Sequence, residues 1–297
     1  MDWNKGKYVI GYFCLLLTFA SCQSKDRHIT INGGYGVGEL NGEQRIGCWS
    51  YYFANDTLQA EGCYVNNLSD GKWDYWYQNG LKKEVIHWRS GVLDGPYFNY
   101  FPNGQLKQSG TYDQGKKQGN WVNYYPNGIR KSLGSYTEDL KTGQWDYFYI
   151  NSNLKKRAYF EKGKRVDTWK HWFPHGQRKI SEHYRNDQRV GERICWHPNG
   201  TRKEISNWKG DALHGAFLKL FQNGDTSSFG HFKNGKEEGP HKSYFDTGQL
   251  HWEGAYVAGN KDGWFYYYND SGVIVLKERY NDNILVDKLI LTNAQKP

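Results

Sequence analysis

Nine glycines stand 24 residues apart in one frame: Gly47, Gly71, Gly95, Gly119 and Gly143, then, after a lapse at Asp167, Gly191, Gly215, Gly239 and Gly263. A fixed period of this length marks a repeat architecture, in which each unit buries its apolar face only against its neighbours. Two further positions hold in every unit. Five residues after the opening position come Tyr52, Trp76, Tyr100, Tyr124, Phe148, Trp172, Trp196, Leu220, Tyr244 and Tyr268. Seventeen residues after it come Tyr64, Trp88, Tyr112, Tyr136, Phe160, Tyr184, Trp208, Phe232, Tyr256 and Tyr280. Both sets are expected in the core, whereas the less regular Phe98, Trp252 and Tyr266 are expected at the surface.

Within a unit, Trp73, Tyr75 and Tyr77 alternate with Lys72, Asp74 and Trp76, the period-2 pattern of a strand. An Asn-Gly or Pro-Asn-Gly follows and a second run begins, so each unit reads as a β-hairpin. Pro102, Pro126, Pro174 and Pro198 favour a type I turn closed by a glycine in the left-handed region. A six-residue link such as Asp113–Gln118 is expected between hairpins. Composition agrees: only 37% of the 297 residues are hydrophobic, yet there are 24 Tyr, 13 Trp and 35 Gly, and a disordered chain would be poor in aromatics. The fold class is therefore all-β, an elongated antiparallel meander of about ten hairpin repeats in a single-sheet, solenoid-like rod. Some twenty strands at about 4.8 Å each make a sheet of about 95 Å. Asp167 is expected to mark a bend.

The chain divides accordingly. Lys5 and Lys7 precede an apolar stretch, Tyr8 to Ala20, with the proportions of a signal-peptide core and too short to span a bilayer. Residues 1–21 read as this leader, 22–28 as a tether, 29–46 as a capping half-repeat, 47–280 as the ten repeats and 281–297 as a closing strand and tail. The run Leu17-Thr-Phe-Ala-Ser-Cys22 resembles the lipobox of bacterial lipoproteins, with Phe19 a departure from its usual aliphatic residue; a plain secretory signal is the other reading. The resemblance implies lipidation of Cys22 and an anchor in the cell envelope. Gln23, in place of the retention signal Asp, implies the outer membrane.

The motif Gly-x-Trp-x-Tyr-Tyr-x-x-Asn-Gly, followed by a spacer and Gly-x-Tyr, resembles the bacterial variant of the MORN repeat. Gly95, Tyr97, Tyr100, Phe101, Asn103, Gly104, Leu106, Gly110, Tyr112, Gly115 and Gly119 carry the likeness. It covers residues 38–280 and implies a β-meander scaffold without catalytic residues. Some relatives bear the label of antitoxin or immunity protein; eukaryotic relatives are associated with phospholipid binding.

Among the 39 basic residues against 31 acidic ones, Lys82, Lys83, Lys107, Arg130, Lys131, Lys155, Lys156, Arg157, Arg178, Lys179, Arg202 and Lys203 recur just after the hairpin turn. They are expected to form a ladder along one edge with a rung about every 10 Å, suited to an extended anion or simply to a solvated face that discourages edge pairing. Cys48 and Cys63 fall in the two arms of the first hairpin, where a disulfide can form outside the cytoplasm. Cys195, His197 and His183 lack the spacing of a metal site. No Gly-x-Ser-x-Gly, His-Glu-x-x-His or Walker sequence is present. The expectation is a scaffold without enzymatic activity or cofactor that binds a protein at the envelope, with anionic phospholipid or polysaccharide as the alternative ligand and nucleic acid excluded by the compartment.

Overall fold

The computed structural model describes residues 27–31 and 33–291; the leader, Cys22 and the chain beyond Leu291 lie outside the described residues. Twenty-five strands form one antiparallel sheet, from Arg27–Ile31 at one end to Ile284–Ile290 at the other. Each pairs with its neighbours in chain order, and the two-residue strands Val92–Leu93 and Lys236–Glu237 are interrupted starts of the strands that follow them. Among the described residues the terminal strands pair on one side only, which leaves the sheet open there.

The hairpin turns form as their residues dictate. In the unit opening at Gly71, the Gly80 amide donates to the Tyr77 carbonyl at 2.9 Å and the Tyr77 amide to the Leu81 carbonyl at 2.8 Å, with Gly80 at φ +81°. That is a three-residue loop with its last residue left-handed, which glycine adopts without penalty. Asparagine before it serves twice. Asn79 Oδ1 accepts from the Leu81 amide at 3.1 Å, and Asn79 Nδ2 donates to the Pro102 carbonyl of the next unit at 2.9 Å. Asn103 reaches Pro126, Asn151 reaches Pro174 and Asn199 reaches Gln222 in the same way.

The six-residue link is not there. Strands run to within two residues of each other, as at Gln114-Gly115 (φ +47° and +83°) and Asn186-Asp187 (φ +48° and +68°). Two left-handed residues in succession make the tight turn whose twist suits a hairpin, so both edges of the sheet carry hairpins. Asp167 also departs from expectation. Its φ of +60° is the left-handed value its glycine counterparts hold, and Asp167 pairs with Tyr184 as Gly143 pairs with Phe160. Aspartate tolerates that region, so the lapse leaves the pairing unbroken.

The core is an aromatic spine on one face. It uses the position seventeen residues into each unit together with the second residue after the opening glycine, which the sequence reading had not singled out. Rings follow one another at centroid spacings of 5.5, 5.1, 6.0, 5.0, 6.5, 5.2 and 5.0 Å through Tyr97, Tyr112, Trp121, Tyr136, Trp145, Phe160, Trp169 and Tyr184. Each such contact contributes about 0.5–1.5 kcal/mol beyond area burial. Most second-position rings lie on a small residue of the preceding unit: a Cβ on Gly134 would stand 2.2 Å from the Trp145 ring, and Ala158, which is fully buried, lies under Trp169. The fifth position lies on the opposite face by strand alternation and is half-buried throughout. Phe98, Trp252 and Tyr266 are half-buried rather than exposed, and Trp252 stacks on Phe265 at 6.1 Å.

Candidate functional site

The twelve basic residues do not form one row. Each unit carries a bulge between its fourth and fifth positions, so that Tyr75 pairs with Glu84 but Trp76 with Lys82, and Lys83 is the extra residue. A bulge breaks the alternation of faces. Lys82 turns to the face away from the spine, where its Nζ lies 2.7 Å from buried Asp74 and 4.6 Å from the Trp76 ring centroid. Burial alone would raise the Asp74 pKa, but hydrogen bonds from Lys72 and Lys82 outweigh it and hold the carboxyl below the ordinary range. Arg157 goes to the same face, its Nε 2.8 Å from Asp146 Oδ1.

The bulge residue itself falls on the spine face. Lys83, Lys107, Lys131, Lys155 and Lys179 sit over the rings of Tyr77, Phe101, Tyr125, Tyr149 and Phe173 at 6.0, 5.9, 5.8, 5.4 and 5.5 Å, one cation on one ring per unit. Lys203 continues the row beside His197. All six lysines are exposed, and among the described residues none makes an ion pair. Hollows lie between this row and the spine. Tyr125, Lys131, Tyr147, Phe148, Lys155, Lys156 and His171 enclose one of about 270 Å³. Lys156 lies at its floor between the Tyr147 and Trp169 rings, 4.2 and 4.9 Å away, and burial, with Lys141 and Lys155 nearby, holds its ammonium below the usual lysine range.

A second cation row lies across the spine, two residues before the opening position, and sequence reasoning missed it. Arg45, Lys117, Lys141, Arg165, Arg189 and Lys261 stand over spine rings at 4.2 to 4.7 Å. Several of these cations have hydrogen-bond partners: Arg45 donates to Asn67, Tyr51 and Tyr64, Lys141 to the Tyr147 hydroxyl and Arg165 to Asp187. They belong to the fold. The spacing of 24 residues to an aromatic neighbour was the signal that could have found them.

The ring-on-small-residue rule lapses before Tyr97, where Ile86 stands in the small residue's place, and again at a step where both members differ. Arg193 replaces the ring and Glu182 the small residue. Glu182, 6% exposed, lies 3.4 Å from His171, 3.1 Å from Arg189 and 3.5 Å from Arg193, which also holds Glu204 at 2.6 Å. Burial alone would raise the Glu182 pKa, but the His171 hydrogen bond and the Arg189 and Arg193 charges bring it down to about 2. Cys195 beside it is a free thiol raised by burial. Cys48 and Cys63 are directly opposed in register and joined by a disulfide. The described residues hold no cluster of three His, Cys, Asp or Glu side chains able to take a metal.

An open single-sheet ribbon of stacked hairpins, cored by one line of rings, defines a repeat scaffold. Three of its units, residues 45–66, 93–114 and 117–138, match the MORN repeat variant, so the chain carries repeats of that type. Each matched segment begins at the cation position, with Arg45, Leu93 and Lys117. No curated protein matches the sequence. Among solved structures, those of TcdB2-TccC3-Cdc42 and of TcdB2-TccC3 without its hypervariable C-terminal region are similar over 84% of this chain at 12% identity. The TM-scores are 0.18 and 0.13, too low to carry an argument, and this chain spans 16% and 18% of the length of those chains.

Proposed function

We propose that the protein is a non-catalytic docking scaffold, anchored at the outer membrane through a lipid on Cys22, whose spine face receives an elongated acidic polypeptide. The row of six exposed lysines carries the reading. Five of the six rest on rings, and none has a carboxylate partner within the described residues. Second-row cations such as Arg45, Lys141 and Arg165 instead have hydrogen-bond partners within the fold. An immunity-like role toward a secreted toxin is one instance of such docking.

Binding of the protein to poly-L-glutamate, to phosphatidylglycerol vesicles and to alginate tests the reading. Salt-sensitive capture of poly-L-glutamate, lost when Lys83, Lys107, Lys131, Lys155, Lys179 and Lys203 are changed to Gln, supports it. Binding to vesicles or alginate with none to poly-L-glutamate overturns it in favour of an envelope lipid or glycan. For the anchor, Cys22→Ser should release the protein from the membrane fraction; retention there would sink that part.

A further inference from the structure

The spacing of the lysine row constrains the conformation of what it binds, on the premise that the docking reading above holds. Successive lysines belong to successive units, two strands apart, and recur about every 9.6 Å at about 4.8 Å per strand. A ligand that engages all six must present an acidic group at that interval, always on one side. An α-helix advances about 10.5 Å in seven residues and drifts by about 20° each time. Over five intervals it would slip by about 4.5 Å and turn its acids away by about 100°. A β-strand advances about 10 Å in three residues, but its third residue faces the other way, so only alternate lysines are met.

A polyproline II helix has three residues per turn and a rise of about 3.1 Å, which returns the same side every 9.3 Å or so with no angular drift. The accumulated mismatch over five intervals is about 1.5 Å, well within the swing of a lysine side chain. Its fit to the rings is independent of its fit to the charges. Grooves lined by aromatic rings are the usual seat of polyproline II segments, whose extended backbone is already ordered before binding. Tyr77, Phe101, Tyr125, Tyr149 and Phe173 supply one ring per turn beneath the lysines.

We propose that the spine face binds a polyproline II segment with an acidic residue at every third position, each carboxylate on one lysine of the row and the intervening residues against the rings. The segment spans about 16 residues.

Fluorescence anisotropy of the full-length protein in detergent tests this with labelled (Glu-Pro-Pro)₆ against a block peptide of six glutamates followed by twelve prolines. The periodic peptide should bind about tenfold more tightly, since only it can satisfy all the exposed pairs at once. Lys131→Gln, Lys179→Gln and Lys203→Gln together should abolish the preference. Changing the adjacent Arg130, Arg178 and Arg202 to Gln removes the same charge from the residue before the bulge and should leave the preference in place. Equal affinity for the two peptides overturns the polyproline II assignment while leaving acidic docking intact. Failure of both peptides together with poly-L-glutamate overturns the assignment and the docking reading alike.

Discussion

The step at Trp145 and the step at Arg193 occupy the same place in the repeat and solve it differently. At the first, an indole lies on Gly134, and its Nε1 donates to the Ser135 carbonyl at 3.1 Å. At the second, a guanidinium lies beside Glu182, with Arg189 and His171 converging on the same carboxylate. At this step both members differ: an indole packs closely on a residue with no bulk, whereas a buried charge demands its opposite. Glu182 and Arg193 are matched by charge, 3.5 Å apart. Glu278 and Lys288, 3.2 Å apart, repeat the ionic solution where the spine ends.

The comparison breaks most severely if a ring is removed. Trp145→Ala should cost about 3–5 kcal/mol in urea denaturation, because the indole is 2% exposed and its neighbours are held apart by the sheet. A loss under about 1 kcal/mol would mean the spine does not hold the units together.

The ionic step should respond to acid where the ring step does not. Glu182 has its pKa lowered from 4.5 to about 2, so its contribution is fully present above pH 4.5 and is lost as pH falls from there toward 2. The amount is about 3 kcal/mol at most. The pair Glu182→Gly and Arg193→Trp writes the ring solution into this step. Its stability at pH 7 should be within about 1 kcal/mol of the parent or higher, since buried ion pairs are replaced by packed apolar groups at little loss. Its stability curve should also be flatter between pH 4.5 and 2. An unchanged acid limb in the double variant would show that other carboxylates govern it.

How much of this could be read from the sequence follows from which positions tolerate exceptions. The seventeenth position is aromatic in every unit and was visible as core; the second is interrupted by Arg193 and His241 and was not. His241 reads as polar, yet its ring lies on Gly230 and its Nε2 stands 2.9 Å from the His231 carbonyl, the contact an indole makes elsewhere. The lysine row was seen as part of a broader ladder. Adjacent residues such as Lys82 and Lys83 look equivalent in sequence, and only the bulge, a property of pairing, sends them to different faces. The tight links at Gln114-Gly115 and Lys162-Gly163 were read as loose because polar residues around them resemble a loop, whereas the strands continue through that polar run.

A smaller perturbation tests the ring step from below. Gly134→Ala would push a Cβ to 2.2 Å from the Trp145 ring and should cost about 1–3 kcal/mol, with the near-ultraviolet circular dichroism of the indole altered. The contrast is Ala158 under Trp169, where the sheet already accommodates a methyl group. If Gly134→Ala proved neutral, the glycine would be a matter of backbone alone.

The smallest effect is expected at the lapse in the glycine frame. Asp167 holds φ +60°, a region that penalises most side chains by about 1–2 kcal/mol and aspartate by less, and its Oδ1 accepts from the Thr168 amide at 2.6 Å. Asp167→Gly removes the strain, forfeits that hydrogen bond and adds freedom to the unfolded chain. The last two terms oppose the first, each being about 1 kcal/mol or less, so stability should shift by under about 0.5 kcal/mol. A large gain would make Asp167 a point of stored strain, and the sheet would then have a weak joint between the unit opening at Gly143 and its neighbour. A near-zero change would show the frame to be continuous where the sequence alone suggests a seam, leaving the Arg193 step as the place where the spine changes character.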